Sequence, residues 1–212
     1  LLESIKGYQI KYASDIIPSD EKIHAEIMYN KYDIFRNLFM YYFLAGLLFF
    51  IFIILNIFSE NKSIHNFMKY IFIIFRSSIV LLFIAHTLGL IARWYISGHA
   101  PWGDAYESMI YVAWATMGIG LLFIKKSDLT LASTSFVTSM ILMIAHWNWM
   151  DPSIANLVPV LNSYWLMIHV SVIVGSYGPF ALSMILGFVS LLLIVFMTRT
   201  NKEKIKNQLS EL

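Results

Sequence analysis

The run WLMIHVSVIVGSYGPFALSMILGFVSLLLIVFM, from Trp165 to Met197, holds 33 residues without one charge. As a helix it would extend roughly 50 Å, whereas the hydrocarbon core of a bilayer is roughly 30 Å thick. One end must therefore project. Counting back from Arg199 at one surface, about 20 residues reach Pro179, and His169 lies about 15 Å further on. This places His169 outside the hydrocarbon, at the end away from Arg199. Gly175, Gly178 and Pro179 permit a kink midway, since proline removes a helix hydrogen bond. A strong tilt is the competing accommodation.

Outward from this run, four more apolar stretches are read as spans, approximately Leu38 to Phe58, Tyr70 to Ala92, Ser108 to Ile124 and Leu129 to Ala145. The expected fold is an all-α polytopic membrane protein with about five transmembrane helices. Composition agrees: 58% of the chain is hydrophobic and 13% charged, against about 25% charged in soluble domains. The absence of cysteine rules out thiolate metal sites and thiol nucleophiles on these residues and leaves metal ligation to histidine or carboxylate. A net charge of +2 concentrated toward a basic tail gives no support for nucleic acid as a partner. Membrane lipid is the expected surrounding.

Lys and Arg translocate poorly in short loops, so their distribution sets orientation. Lys62 and Lys69, Lys125 and Lys126, and Arg199, Lys202, Lys204 and Lys206 mark one side as cytoplasmic. The loops 93–107 and 146–164 carry only Arg93 as a basic residue and hold His99, Trp102, His146, Trp147 and Trp149. The N-terminus is therefore expected outside and the C-terminus in the cytoplasm. On this reading residues 1–36 are an extracytoplasmic segment ending an upstream domain, 37–198 a transmembrane helical domain, and 199–212 a cytoplasmic basic tail or linker. The start at Leu1, without methionine or a signal-peptide pattern, leads us to expect a piece of something longer.

Trp165 and His169 stand four residues apart and share a helix face, continued by Val172 and Ile173. A face ordered aromatic, imidazole, aliphatic suits a porphyrin, whose plane packs on apolar groups while its iron takes a ring nitrogen. An interfacial tryptophan beside a solvated histidine has the same spacing. In the loop Ser97-Gly98-His99-Ala100-Pro101-Trp102, glycine and proline set a turn that presents His99, either as a surface histidine or as a ligand-positioning one. Asp104 and Glu107 read as a capping box, with Glu107 reaching back to the cap. Arg76 and His86 lie within a span, where ionisable groups tend to face the bundle interior. Arg76 is expected to snorkel to the cytoplasmic surface; His86 is read equally as a structural hydrogen-bonding group or a ligand contact. His146 reads as interfacial, and His24 and His65 carry no signal.

Arg93-Trp-Tyr-Ile-Ser-Gly-His-Ala-Pro101 with Tyr106-Glu-Ser, followed by Leu157-Val-Pro-Val-Leu-Asn-Ser-Tyr-Trp-Leu-Met-Ile-His169-Val, resembles the CcsA family of system II cytochrome c biogenesis, including its fused CcsBA forms. The resemblance covers about residues 65–197 and rests on two motifs in the right order. It implies a protein of the bacterial inner membrane that carries haem b to the outer face and joins it to the Cys-x-x-Cys-His thiols of an apocytochrome c. It further implies His169 as an axial ligand of haem iron on the extracytoplasmic side, and either the remainder of a CcsBA chain or a CcsB-type partner. Trp165, His99 and Trp102 are the accompanying candidates for cofactor binding, with His86 behind them. The family's tryptophan-rich segment, of the Trp-Gly-x-x-Trp-x-Trp-Asp type, does not occur in these 212 residues, so the resemblance implies at most half of the external site here. A small-solute transporter and a structural membrane subunit are the alternatives; a transporter would show broken spans with polar groups near the midplane, whereas the unusual groups here gather at one rim.

Overall fold

The computed structural model describes residues 2–13, 17–58, 62–147, 150–154, 163–197 and 201–211. Among the described residues every regular element is an α-helix: α1 (Leu2–Ala13), α2 (Asp20–Tyr32), α3 (Ile34–Phe58), α4 (Lys62–Ser97), α5 (Ala105–Leu122), α6 (Asp128–His146), α7 (Tyr164–Val195) and α8 (Lys202–Glu211). All five apolar runs fold as helices. By length and apolarity four candidate spans cross a membrane, Asp20–Ile57, Phe67–Ser97, Asp128–His146 and Ile168–Val195. The run from Ser108 to Ile124 is helical too, but α5 has 18 residues and carries Glu107 in its first turn, so it falls short of the four. This is an all-α polytopic membrane protein.

Side-chain oxygens start the helices where backbone N–H groups lack partners. Ser19 caps α2, Asp104 caps α5 and Ser127 caps α6, each accepting from the N–H three residues on. The break between α2 and α3 is one residue wide. Asp33 adopts the left-handed conformation at φ 40° and ψ 58°, which aspartate visits more readily than bulkier residues.

α3 and α4 run antiparallel. Phe35 at the start of α3 meets His86 and Tyr106, with ring centroids 5.4 and 6.5 Å apart, whereas Phe49 stacks on Phe75 at 5.3 Å further along. Near the far end, Ile53, Asn56 and Ile57 border a cavity of about 280 Å³ with Arg76, Lys125 and Lys126.

The most enclosed span is α6, although it is the least apolar of the four. Its small residues explain this. An added Cβ on Gly46 of α3 would lie 2.8 Å from the backbone nitrogen of Phe136 and 3.1 Å from the carbonyl of Ala132. Gly120 of α5 is pressed equally against Thr134. Where lipid is as apolar as leucine, such close backbone approach is what holds helices together. Two of its buried hydroxyls are satisfied by carbonyls: Thr134 donates to the Thr130 carbonyl at 2.7 Å, and Ser135 donates to the Tyr42 carbonyl at 3.0 Å, joining α6 to α3, whereas Ser133 Oγ is buried without a partner.

α7 is a single 32-residue helix that carries Pro179 without a break. Gly178 beside it fits against Thr116 of α5, and Gly175 faces Tyr111. Its other side is open, with Val172, Phe180 and Met184 all exposed. In α8, Ile205 is buried and Leu209 packs on the core, so part of the expected basic tail is a helix folded on the bundle.

Arg76 reaches the end of the bundle that carries Lys125 and Lys126, and there it finds a partner that the snorkelling expectation did not name. Its guanidinium grips Asp128 at the start of α6 through two bonds of 2.6 and 2.8 Å, because the turn after α5 brings a carboxylate within reach. The pair is partly exposed, so Asp128→Asn is expected to lower stability by about 1 kcal/mol. Unfolding of the detergent-solubilised protein would measure it, and a loss above about 3 kcal/mol would mean that the pair is effectively buried.

Candidate functional site

The end of α4 turns on Gly98. At φ +75° this residue occupies the left-handed region that glycine enters freely, and its N–H closes on the Trp94 carbonyl at 2.9 Å. The glycine thus stops the helix and sends Ser97 to Trp102 across the bundle end. Ser97 Oγ donates to the His99 carbonyl at 3.0 Å, and His99 Nδ1 lies 3.1 Å from the Ala100 carbonyl. His99 is presented at the rim, half-buried, as the glycine and proline beside it predict.

Beneath this loop lies a fully buried ion pair. Arg93 Nε donates to Glu107 Oε1 at 3.0 Å, and neither side chain has meaningful exposure, at 0% and 1%. The rest of the guanidinium is also engaged. Nη1 donates to the Pro152 carbonyl at 2.9 Å, Nη2 donates to the Ser153 carbonyl at 3.3 Å and stands 3.6 Å from Asp104 Oδ2, and the group lies 5.0 Å from the centroid of the Tyr106 ring. Glu107 Oε2 accepts the Gly103 N–H at 2.7 Å and stands 3.8 Å from His99 Nδ1. Glu107 therefore does reach back, but to Gly103 rather than to the cap residue itself. The cap is as expected, with Asp104 Oδ1 accepting from the Glu107 N–H at 2.6 Å. Burial pushes the Asp104 carboxyl up from its ordinary value, while the capping N–H and the Arg93 charge pull it back.

Aromatic rings line one side of the same end. Trp94, Trp102, Tyr111, Trp114 and Phe83 follow one another with centroid separations of 6.5, 5.1, 6.0 and 5.7 Å. Trp114 Nε1 donates to Thr87 Oγ1 at 2.9 Å, whose own hydroxyl donates to the Phe83 carbonyl at 2.8 Å. The first four rings, with Thr87, Leu90 and Pro101, border an apolar groove of about 130 Å³. Trp102 Nε1 is buried and without a hydrogen-bond partner. On another side Tyr29, Asp33, Tyr106, His146, Asp151 and Ser153 border a cavity of about 360 Å³. His146 is exposed in the last turn of α6, as its interfacial reading expects.

Trp165 and His169 occupy the first two turns of α7, and both are exposed. Tyr111 ties this helix to the aromatic row, because its ring faces Gly175, about 9 Å along the axis from His169. The structure thus brings His99 and Trp102 into one layer with the buried pair, and puts Trp165 with His169 on a neighbouring helix. His86 stands apart. It is completely enclosed, with Nε2 3.1 Å from the Ile110 carbonyl, Nδ1 without a partner, and the rings of Phe35 and Tyr42 at 5.4 and 6.1 Å. Trp149 and residues 155–162, which include much of the second motif, lie outside the described residues.

The residue whose role sequence reasoning passed over is Arg93, which entered only as a marker of topology and as the first residue of the family motif. A signal existed: an arginine inside the last turns of a long apolar helix requires a partner, and Glu107 is the first glutamate across the Gly98 turn. The aromatic row left no such trace, since its members come from two helices and a loop.

A family model described as cytochrome C assembly protein matches residues 102–212. Over 213 residues the chain is 38% identical to Protein NrfI of Wolinella succinogenes, an alignment that covers 100% of this chain and 23% of that protein. Against the cytochrome c biogenesis protein CcsA of Prochlorococcus marinus it is 32% identical over 156 residues, 67% of this chain and 46% of that one. With CcsA of Guizotia abyssinica it shares 39% over 117 residues, 50% of this chain and 34% of the relative. The chain spans less than half the length of each of these relatives. A family match over just over half the chain, holding Trp102, Trp165 and His169, joins an alignment with NrfI along its whole length, and the chain accordingly belongs to the cytochrome c assembly family.

Proposed function

We propose that this chain is part of a cytochrome c synthase of the bacterial inner membrane, which carries haem b to the extracytoplasmic face and attaches it to the thiols of an apocytochrome c. The observation that carries the reading is the exposed pair Trp165 and His169 on the first turns of α7, in a chain of this family. The residues present suit the cargo. An exposed imidazole is a competent axial ligand, a tryptophan one turn away offers a stacking face, and Val172 and Ile173 continue it with exposed aliphatic surface. Bound haem would contribute the iron to be ligated and the vinyl groups that the substrate thiols attack. His169 would supply a nitrogen to the iron and Trp165 a stacking face, while Trp102 and His99 border the approach from the neighbouring layer.

In this arrangement residues 1–36 belong to the extracytoplasmic side, 37–198 form the membrane domain, and 199–212 lie in the cytoplasm. The remaining ligand and the tryptophan-rich segment come from elsewhere in a CcsBA-type chain or from a CcsB-type partner. The absence of cysteine fits the division of labour, because the attacking thiols arrive on the apocytochrome. A transporter finds less support. Thr134 and Ser135 of α6 spend their hydroxyls on backbone carbonyls, and the cavities described above lie toward the ends of the bundle.

His169→Ala in the complete protein is expected to lower the haem retained per chain several-fold, or to shift its reduced and oxidised absorption bands through loss of an imidazole ligand. Purification followed by spectroscopy measures both. Wild-type occupancy together with wild-type bands would reject His169 as a ligand.

A further inference from the structure

We infer that Arg93 is a positioning residue of the proposed haem site: it anchors the segment that leads into α7 and so sets where Trp165 and His169 are presented. The inference rests on the function proposed above. It begins with the guanidinium's donors. Nε, Nη1 and Nη2 each bond to a group of this chain, and the side chain is completely buried. The fork is spent inward and is not offered to a ligand. What it receives is informative, because two of its three partners are the successive carbonyls of Pro152 and Ser153, in the connection between α6 and α7. That turn is itself built, since Asp151 Oδ1 accepts the Ser153 N–H at 2.9 Å, the local bond by which an aspartate shapes a turn.

His169 lies in the chain between two anchors. Before it comes the Arg93 clamp at positions 152 and 153; after it comes the packing of Gly175 and Gly178 of α7 against Tyr111 and Thr116 of α5. Glu107 makes the first anchor part of α5 as well, since one oxygen binds Arg93 and the other binds the Gly103 N–H. Both anchors therefore refer α7 to the same helix. Releasing the first removes one of the restraints on the chain that enters the first turns of α7.

Arg93→Lys is the informative variant. It keeps a positive charge for Glu107 but replaces a planar fork by a point charge, which cannot serve a carboxylate and two carbonyls in that geometry. The full-length protein would carry nitroxide labels at Ser163→Cys, the cap of α7, and at Leu122→Cys, the exposed end of α5; the 212 residues have no cysteine of their own to interfere. Arg93→Lys is expected to broaden the distance distribution or move it by several ångströms, without added haem. It is also expected to lower retained haem several-fold or alter its axial-ligand bands while membrane levels of the protein stay unchanged. Unchanged distances in Arg93→Lys overturn the inference, and if His169→Ala still loses the haem bands the proposed function stands. Shifted distances with wild-type bands in both variants leave the clamp in place and remove its link to haem. Should Arg93→Lys fail to accumulate, the same distances are read in Asp151→Ala, an exposed position whose loss frees the turn; an unchanged distribution there overturns the inference as well.

Discussion

Replacing Arg93 by methionine should destabilise the protein by about 3–5 kcal/mol, because Glu107 would remain buried as an uncompensated charge. The arithmetic favours a large effect for two reasons. Glu107 is 1% exposed, so water cannot replace the lost partner, and the carbonyls of Pro152 and Ser153 lose their donors at the same time. Pairing the change with Glu107→Met should recover much of the loss, since an apolar pair of similar volume avoids the desolvation of both ions. The Gly103 N–H, which Glu107 Oε2 now accepts, and the carbonyls of Pro152 and Ser153 would then be the groups left without partners. Denaturant or SDS-driven unfolding in mixed micelles can measure the two single variants and the double one. A single Arg93→Met variant within about 1 kcal/mol of the native protein would show that water reaches Glu107.

The second large effect is expected at Gly46→Val, with a loss of about 3 kcal/mol from overpacking. Even a single Cβ at this position would come 2.8 Å from a backbone nitrogen and 3.1 Å from a backbone carbonyl of α6. A flexible side chain could step aside, but the backbone of a helix enclosed on several sides cannot. The consequence is a separation of α3 from α6, which also stretches the Ser135 bond to the Tyr42 carbonyl. Gly187→Ala on α7 serves as the control. An added Cβ meets nothing within 4 Å there, so the change should be neutral or stabilising by up to about 1 kcal/mol through helix propensity. Equal losses at the two glycines would mean that close approach of α3 to α6 is not what makes Gly46→Val costly.

Much of this molecule is legible in its residues for one physical reason. A charged side chain within lipid is costly enough that spans must be nearly free of charge, so apolar runs declare themselves by composition. All five expected runs are helices, although their polar flanks could not be bounded: α4 extends from Lys62 to Ser97 where an apolar core of Tyr70 to Ala92 was expected. Local punctuation was readable as well. Gly98 and Asp104 act over three or four residues and need no knowledge of what packs nearby. The family resemblance lay in motifs around Arg93 to Pro101 and Leu157 to Val170, and the alignments with NrfI and CcsA agree with it. That Arg93 needs a partner was readable, but its pairing with Glu107 in particular was not, because it depends on how two helices rotate about a seven-residue connection.

The sequence by itself determined that this chain lives in a membrane, that its spans are helical and roughly where each begins, and that His169 stands in the early turns of an overlong helix. Those properties follow from transfer free energy and helix rise, which act on each segment separately. Only the tertiary structure decided that α6 lies at the centre, that Arg76 meets Asp128, and that Arg93 joins three segments beneath the His99 loop. Lipid gives apolar faces little reason to prefer one another, so small residues and buried polar bonds choose the neighbours. Their effect exists only once the helices are side by side.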